Sequence, residues 1–411
     1  MRAILPFALA LGVTAPAFLL RVGLLSLPLE LATLVFGLSV IGAAFVMSWA
    51  AEAAERDIPR ALALTAVALL AVLPEYAVDI IFAFKAGQDP SFAPYAVANM
   101  TGSNRLLLGL GWPAVAVLAW LKSGRRLLRL DRGDMLPLVF LLVATLYSFQ
   151  LPLKAAIAPV DSLILISLFG LYAVLAARVK AHDPQLVGPA ATIGSLPTTR
   201  RRLAILGLFA FAGATIGVSA EPFAEGLVHT GQRLGIDEFL LVQWLAPLAS
   251  ETPEFLVAAL LAIRGKATAA LALLLAAKVN QWTLLVGSLA LAYSAGGGSL
   301  AALPLDQRQV GEVLLTAAQS LFGLAVLARL RFNLQDAALL AGLFIGQLVL
   351  GGVLRAGLHD ANAASAEMFW FAGLYVVLAA WYLWRARHAL AGLRNRRPTP
   401  LSVPYVKEKA A

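Results

Sequence analysis

Twelve apolar stretches divide this 411-residue chain almost from end to end, near 4–21, 29–55, 59–86, 91–121, 135–151, 160–179, 201–232, 236–264, 267–296, 308–330, 336–356 and 366–388. A bilayer offers no water to the backbone, so a run of about 20 apolar residues satisfies its own N–H and C=O groups as a helix. Several of the runs are longer than that minimum, which implies tilt or kinks. With 60% of residues hydrophobic and only 13% charged, the chain reads as a polytopic membrane protein rather than a soluble core. The first stretch contains Ala15-Pro16-Ala17, which resembles a cleavage site, so a signal peptide is the alternative there. The apolar run continues through Leu20, and an uncleaved span is expected.

Loop charge sets the orientation. The formal charge of +9 is concentrated in short loops rather than in a nucleic-acid-binding face. Lys122, Arg125, Arg126, Arg129 and Arg132 follow the fourth stretch, and Arg178, Lys180, Arg200, Arg201 and Arg202 bracket the loop after the sixth. Arg264 and Lys266 follow the eighth, Arg329 and Arg331 the tenth, and a basic cluster from Arg385 to Arg397 the twelfth. Every second loop is basic, so both termini are expected in the cytoplasm of an inner (plasma) membrane. The polar connector at 181–200, with three prolines and two glycines, reads as a cytoplasmic linker between two halves. Cysteine is absent, and His182, His229, His359 and His388 lie at span ends or in loops, which argues against an intramembrane catalytic metal.

Chemistry enters at Leu73-Pro74-Glu75, deep in the third stretch, with Asp79 one helical turn further on. Pro74 cannot donate a backbone bond, which frees the carbonyl of Leu70, and Glu75 and Asp79 share a helix face. A freed carbonyl beside stacked carboxylates is an oxygen-rich, negative pocket suited to a hard cation. The pattern recurs 179 residues later as Ser250-Glu251-Thr252-Pro253-Glu254, where Pro253 frees the carbonyl of Ala249. Likewise Arg105-Leu106-Leu107-Leu108-Gly109 matches Thr283-Leu284-Leu285-Val286-Gly287. The third span leaves the cytoplasm and the eighth enters it, so the repeats are inverted, as in secondary transporters with a midplane site.

The expected architecture is an all-α polytopic membrane protein of two inverted five-helix repeats plus extra terminal spans, about 12 transmembrane helices in total. Residues 1–28 form an N-terminal extra span, 29–180 the first repeat, 181–200 the linker, 201–357 the second repeat, 358–390 an extra C-terminal span and 391–411 a basic cytoplasmic tail. Candidate cation ligands are Glu75, Glu254, Asp79, Glu251, Asn99, Ser103 and Ser250, with Pro74 and Pro253 as kinks. The stretch Asn99-Met100-Thr101-Gly102-Ser103-Asn104 supplies neutral oxygens and small residues for close helix approach. Its counterpart in the ninth span carries Lys278, whose buried ammonium must lose its proton or pair, with Glu251 and Asp79 as candidate partners. Counting Lys278 and Arg105 against four ionised carboxylates makes Lys278 a candidate fixed cation. Glu312 reads as interfacial, and Glu52, Glu55, Glu221 and Glu225 as either interfacial or gating residues.

The Pro-Glu kinks and the Asn-x-x-Gly-Ser-Asn stretch resemble the calcium/cation antiporter superfamily, which includes the sodium/calcium exchangers. The resemblance covers two alpha-repeats, roughly 59–121 and 236–296, and implies a fold of two inverted halves with Glu75 and Glu254 as central ligands. The sequence departs from that pattern at Ala71 and Val72, where hydroxyl residues are expected, at Glu251 in a hydroxyl position, and at Ala277 through Trp282. Ion identity and stoichiometry follow the family less closely for that reason.

The function expected is secondary active antiport of sodium or protons against calcium or another cation, with no cofactor. The partners are inorganic cations and the lipid bilayer. A sodium/proton antiporter without calcium transport is the alternative, and an intramembrane enzyme a remote one, since no histidine partner accompanies the carboxylates. Orientation is directly testable because the chain has no cysteine. Single cysteines placed in 181–200 or after Arg394 should react with impermeant reagents only from the cytoplasmic face. Labelling of the central loop from outside intact cells would overturn both the orientation and the inversion.

Overall fold

The computed structural model describes residues 4–54, 56–57, 73–130, 134–176, 186, 188–358 and 360–395. Among them, ten helices are long and apolar enough to cross a bilayer. With two further helices, the first and third in chain order, we label them α1 (Ile4–Arg21), α2 (Leu29–Ala54), α3 (Leu73–Gln88), α4 (Pro90–Ser123), α5 (Met135–Lys154) and α6 (Pro159–Ala176). They continue as α7 (Thr198–Leu234), α8 (Glu238–Ile263), α9 (Ala267–Gly297), α10 (Gln307–Leu327), α11 (Leu334–Arg355) and α12 (Ala361–Asn395). Residues 59–72, and with them the Leu70 carbonyl and the Ala71-Val72 pair, lie outside the described residues, as do Glu55, His182 and His359. Large apolar side chains such as Leu146, Leu163 and Val377 are exposed, as lipid-facing positions require. Trp370, Trp381 and Trp384 are likewise exposed along α12, as an aromatic belt requires.

Packing follows a pattern that maps onto itself when the halves are exchanged. α2 lies along α7, α3 packs on the far end of α9 while α8 packs on α4, and α6 meets α9 as α11 meets α4. Two glycines show the correspondence at atomic level. A Cβ on Gly109 of α4 would stand 2.3 Å from the Phe344 ring of α11, and one on Gly287 of α9 would stand 2.9 Å from Ile166 of α6. Both helices also widen into a π turn just past their polar stretch, at Leu107–Gly111 and Gln281–Leu285. Such turns free backbone groups and concentrate at functional sites.

Two small ribbons tie the loops at each end of the bundle. β1 (Leu127–Arg129), after α4, pairs with β4 (Arg331–Asn333), after α10. β2 (Ala156–Ile157) and β3 (Leu303–Pro304) pair at the opposite end. Both loops of the first ribbon are basic and those of the second are not, so the ribbons join loops that the charge pattern assigns to one side.

The 181–200 connector is more ordered than its polar composition implies. Gly188–Gly194 form a short helix, and α7 starts at Thr198 after the extended Pro197. Ile193 is buried with Ala51, Ala53 and Ala54 at the end of α2. Arg56 donates to the Gly194 carbonyl at 2.8 Å, and Arg201 grips Asp57 through two bonds of 2.6 Å. The Arg201 hydrogen bonds hold the Asp57 carboxyl below its ordinary value, against the desolvation that opposes them. Apolar and charged contacts together hold the described part of the connector against the end of α2.

The closest helix approach joins α4 to α8. Pro247 has no N–H, so the Gln243 carbonyl lacks its in-helix donor. That oxygen lies where a Cβ on Gly102 would be, 1.8 Å away. Gly102→Ala should therefore push the two helices apart and cost about 1–3 kcal/mol, read as a lowered melting temperature in detergent. An unchanged melting temperature would show that the approach is loose.

Candidate functional site

Four helices bring their polar side chains to one buried zone. α3 supplies Glu75, Tyr76 and Asp79, α4 supplies Asn99 and Ser103, α8 supplies Ser250, Glu251 and Glu254, and α9 supplies Asn280 and Gln281. Glu75 lies about 20 Å from the end of α3 and Glu254 about 14 Å from the end of α8, at helical rise, so both sit well inside the span. Glu75 faces Ser103 of its own half and, across the interface between the halves, Gln281 and Glu251, and Glu254 is within electrostatic reach of Glu75 and Glu52.

Each half places an amide from its second helix against an acid from its first. Asn99 donates to Asp79 Oδ1 at 2.9 Å, and Gln281 donates to Glu251 Oε1 at 2.5 Å. Between the halves, the Tyr76 hydroxyl donates to Asn280 Oδ1 at 2.8 Å. Ser250 turns its hydroxyl proton back to the Ala246 carbonyl at 3.2 Å, which leaves its oxygen lone pairs available. Pro253 lies within α8, which continues as one helix through it; lacking an N–H, it leaves the Ala249 carbonyl without its usual donor.

What remains unpaired is mostly oxygen. Among the described residues, Glu75 Oε1, Asp79 Oδ2, Asn99 Oδ1, Ser103 Oγ, Glu251 Oε2, Glu254 Oε2 and Gln281 Oε1 are buried without a hydrogen-bond partner. An orphaned buried polar atom costs about 1–3 kcal/mol, so a set of this size marks a place built to hold something positive. Among the described residues no three histidine, cysteine or acidic side chains gather closely enough to form a metal cage by themselves. A cation here needs the amide and hydroxyl oxygens as well as the carboxylates.

Two expectations about the buried cations are corrected. Lys278, fully buried, reaches neither Glu251 nor Asp79. Its ammonium donates to Asn104, at 2.9 Å to the side-chain oxygen and 2.5 Å to the backbone carbonyl. The amides of Gln281 and Asn99 already occupy the near oxygens of those two acids. Arg105 does not offset the site's charge, because it forms a 2.7 Å ion pair with Glu312. Glu312 is 5% exposed and is a buried partner, not an interfacial carboxylate. Glu221 and Glu225 pair with Lys85, and Glu221 also with Arg21, joining α7 to α3 and α1 away from the site.

An oxygen-rich site between two inverted halves limits the families that fit, and comparison with known proteins decides among them. The sodium/calcium exchanger protein family matches the chain twice, over residues 29–178 and 204–351. The crystal structure of the H+/Ca2+ exchanger CAX superposes with a TM-score of 0.89 and 43% identity, covering 95% of this chain and 96% of that one. The chain belongs to the sodium/calcium exchanger family. Two more distant structures share the exchanger's fold. Native YfkE has a TM-score of 0.58 at 17% identity over 82% of this chain and 97% of its own, and NCX_Mj has 0.52 at 16% over 78% and 98%. None of the curated proteins compared matches the exchanger by sequence. As a family of transporters, it accounts for deep carboxylates without any enzymatic machinery.

Tyr76, Asn280 and Gln281 are the site residues that sequence reasoning missed. Asn280 and Gln281 lie in the stretch that read as a degraded motif. The signal there was two adjacent amides in hydrocarbon, which need partners as much as hydroxyls do. The exchanger's Lys278 gives the sharpest electrostatic test. Lys278→Gln keeps a donor for Asn104 but removes a positive charge from beside the carboxylates. At an effective dielectric of about 20, unit charges 4 Å apart interact by about 4 kcal/mol, falling with distance. Binding of a divalent probe should tighten by about tenfold or more, measured by equilibrium calcium binding to purified protein. Unchanged or weaker binding would show that the ammonium is electrostatically remote from the ion.

Proposed function

We propose that this exchanger is a secondary active antiporter that moves calcium in one direction and protons in the other. Glu75 and Glu254 are its central ligands, and the site lies near the membrane midplane. The observation that carries the reading is the set of seven unpaired oxygens from α3, α4, α8 and α9. Calcium takes six to eight oxygen ligands in flexible geometry, and this set mixes carboxylate, amide and hydroxyl oxygens as such a shell does. Asp79, Glu251, Asn99, Ser103 and Ser250 complete it, Pro74 and Pro253 supply the bends, and Lys278 acts as a fixed compensating charge.

Protons are favoured over sodium as the counter-ion by two features. Ala71, Val72 and Glu251 stand where the family pattern has neutral hydroxyl ligands, so oxygens suited to sodium are replaced by none or by a titratable acid. The structure with 43% identity is described as an H+/Ca2+ exchanger. The coupling follows from competition. A protonated Glu75 or Glu254 loses the charge that holds calcium, so the two cargoes occupy the site in turn. Residues 29–180 and 201–357 act as the two inverted halves whose rocking exposes it to each side, with both termini in the cytoplasm of the inner (plasma) membrane.

Reconstituted vesicles test this directly. A pH gradient should drive calcium uptake in sodium-free buffer, and a sodium gradient at matched pH should not. Sodium-driven uptake without any pH-driven uptake would overturn the proton assignment. Glu75→Gln and Glu254→Gln should each reduce uptake to background with near-normal expression. Near-wild-type uptake in either variant would remove that residue from the site.

A further inference from the structure

A second buried polar cluster lies where the ends of α8, α10, α11 and α12 meet around Arg105. Its cavity measures about 30 Å³, room for one or two waters. Arg105 pairs with Glu312 and donates to the Gln347 side-chain oxygen, and the Gln347 amide donates to Glu367 Oε2 at 3.2 Å. Glu367 is 5% exposed, and its other oxygen, Oε1, has no partner. Among the described residues Glu367 makes no ion pair, because the nearby cations are engaged elsewhere or set apart. Arg105 is taken by Glu312 and Arg308 by Asp237 at 2.9 Å, while Arg355 lines the same cavity. These, with Glu312 and with Tyr375 on α12 itself, are the charged and titratable groups that face it.

We infer that Glu367 is a second proton-binding site, open to water at the bundle end opposite the basic loops and separate from the midplane carboxylates. The inference rests on the antiport reading above. A carboxylate kept only for structure would have both oxygens satisfied or an ion pair; this one keeps an unpartnered oxygen and lines a water-sized cavity, about 9 Å into its helix. The residue comes from α12, beyond position 351 where the family match ends. Gln347 links it to the transport helix, since one amide accepts from Arg105 and donates to Glu367. Adding a proton to Glu367 removes a charge that this amide and the Arg105–Glu312 pair feel. Arg105 follows Asn104, which holds Lys278. External pH thereby acts on the ion-binding segment of α4 without a proton entering the calcium site.

The test uses the full chain in vesicles, with pH varied on the face away from the basic loops and clamped on the other. In Glu367→Gln, the dependence of calcium uptake on that pH should shift by about one unit or flatten, with maximal uptake within about threefold of wild type. Glu367→Asp retains a carboxyl and should keep a wild-type-like profile, which also covers the case in which the glutamine variant fails to fold. A pH-difference infrared spectrum of purified protein should lose one protonated-carboxyl band in Glu367→Gln. A well-folded Glu367→Gln with an unshifted profile and an unchanged carboxyl spectrum overturns the inference. So does a wild-type profile that follows chloride instead of pH, which would make the cavity an anion site of Arg308 and Arg355. If wild-type vesicles show no pH-driven uptake, the antiport reading fails, while the infrared measurement still reports on Glu367.

Discussion

Ionised carboxylates in hydrocarbon set the terms for everything else in this exchanger. Each carries a desolvation penalty of several kcal/mol that only a cation, a proton or a dense set of donors offsets. Asp79 and Glu251 each receive one amide bond, and Glu312 receives a guanidinium. Glu75, Asp79, Glu251 and Glu254 nonetheless each keep a buried oxygen without a hydrogen-bond partner. The helices that meet here are held by contacts that tolerate little displacement, such as the Gln243 carbonyl against Gly102. A rigid frame around incompletely satisfied acids selects the charge of whatever enters.

The division of labour between the two π-widened helices follows from the same constraint. On α4, Asn99 and Ser103 turn toward the acids, while Asn104 and Arg105, on the adjoining faces, meet Lys278 and Glu312. On α9, Gln281 serves Glu251, Asn280 serves Tyr76, and Lys278 turns to α4. Each helix therefore packs on its neighbours through the same few turns that carry the buried oxygens.

Much of this was readable from the chain alone. Apolar length gave the helices, and the recurrence of Pro74-Glu75 at Pro253-Glu254 pointed to the acids that the fold brings together. Partner choice was less legible. Arg105 and Glu312 are 207 residues apart and Tyr76 and Asn280 are 204 apart. Such pairs depend on how each helix is rotated about its axis, which a period of 3.6 residues constrains only to a face. Lys278 shows the failure most clearly. Its burial was evident, but a neutral carbonyl one helix away satisfied it before any carboxylate did. The short helix at 188–194 within the linker, docked on α2 by a few apolar residues, was not legible from its mostly polar composition.

The inverted packing of α2–α6 and α7–α11 has a thermodynamic corollary. Two halves of identical sequence related by a strict two-fold axis in the membrane plane would make the inward-open and outward-open states equivalent by rotation and equal in energy, with no resting preference. α12 lies against α10 and α11, and α1 lies mainly along α2. Helices outside the two repeats break that equality, so the inversion by itself does not fix the relative energies of the two states.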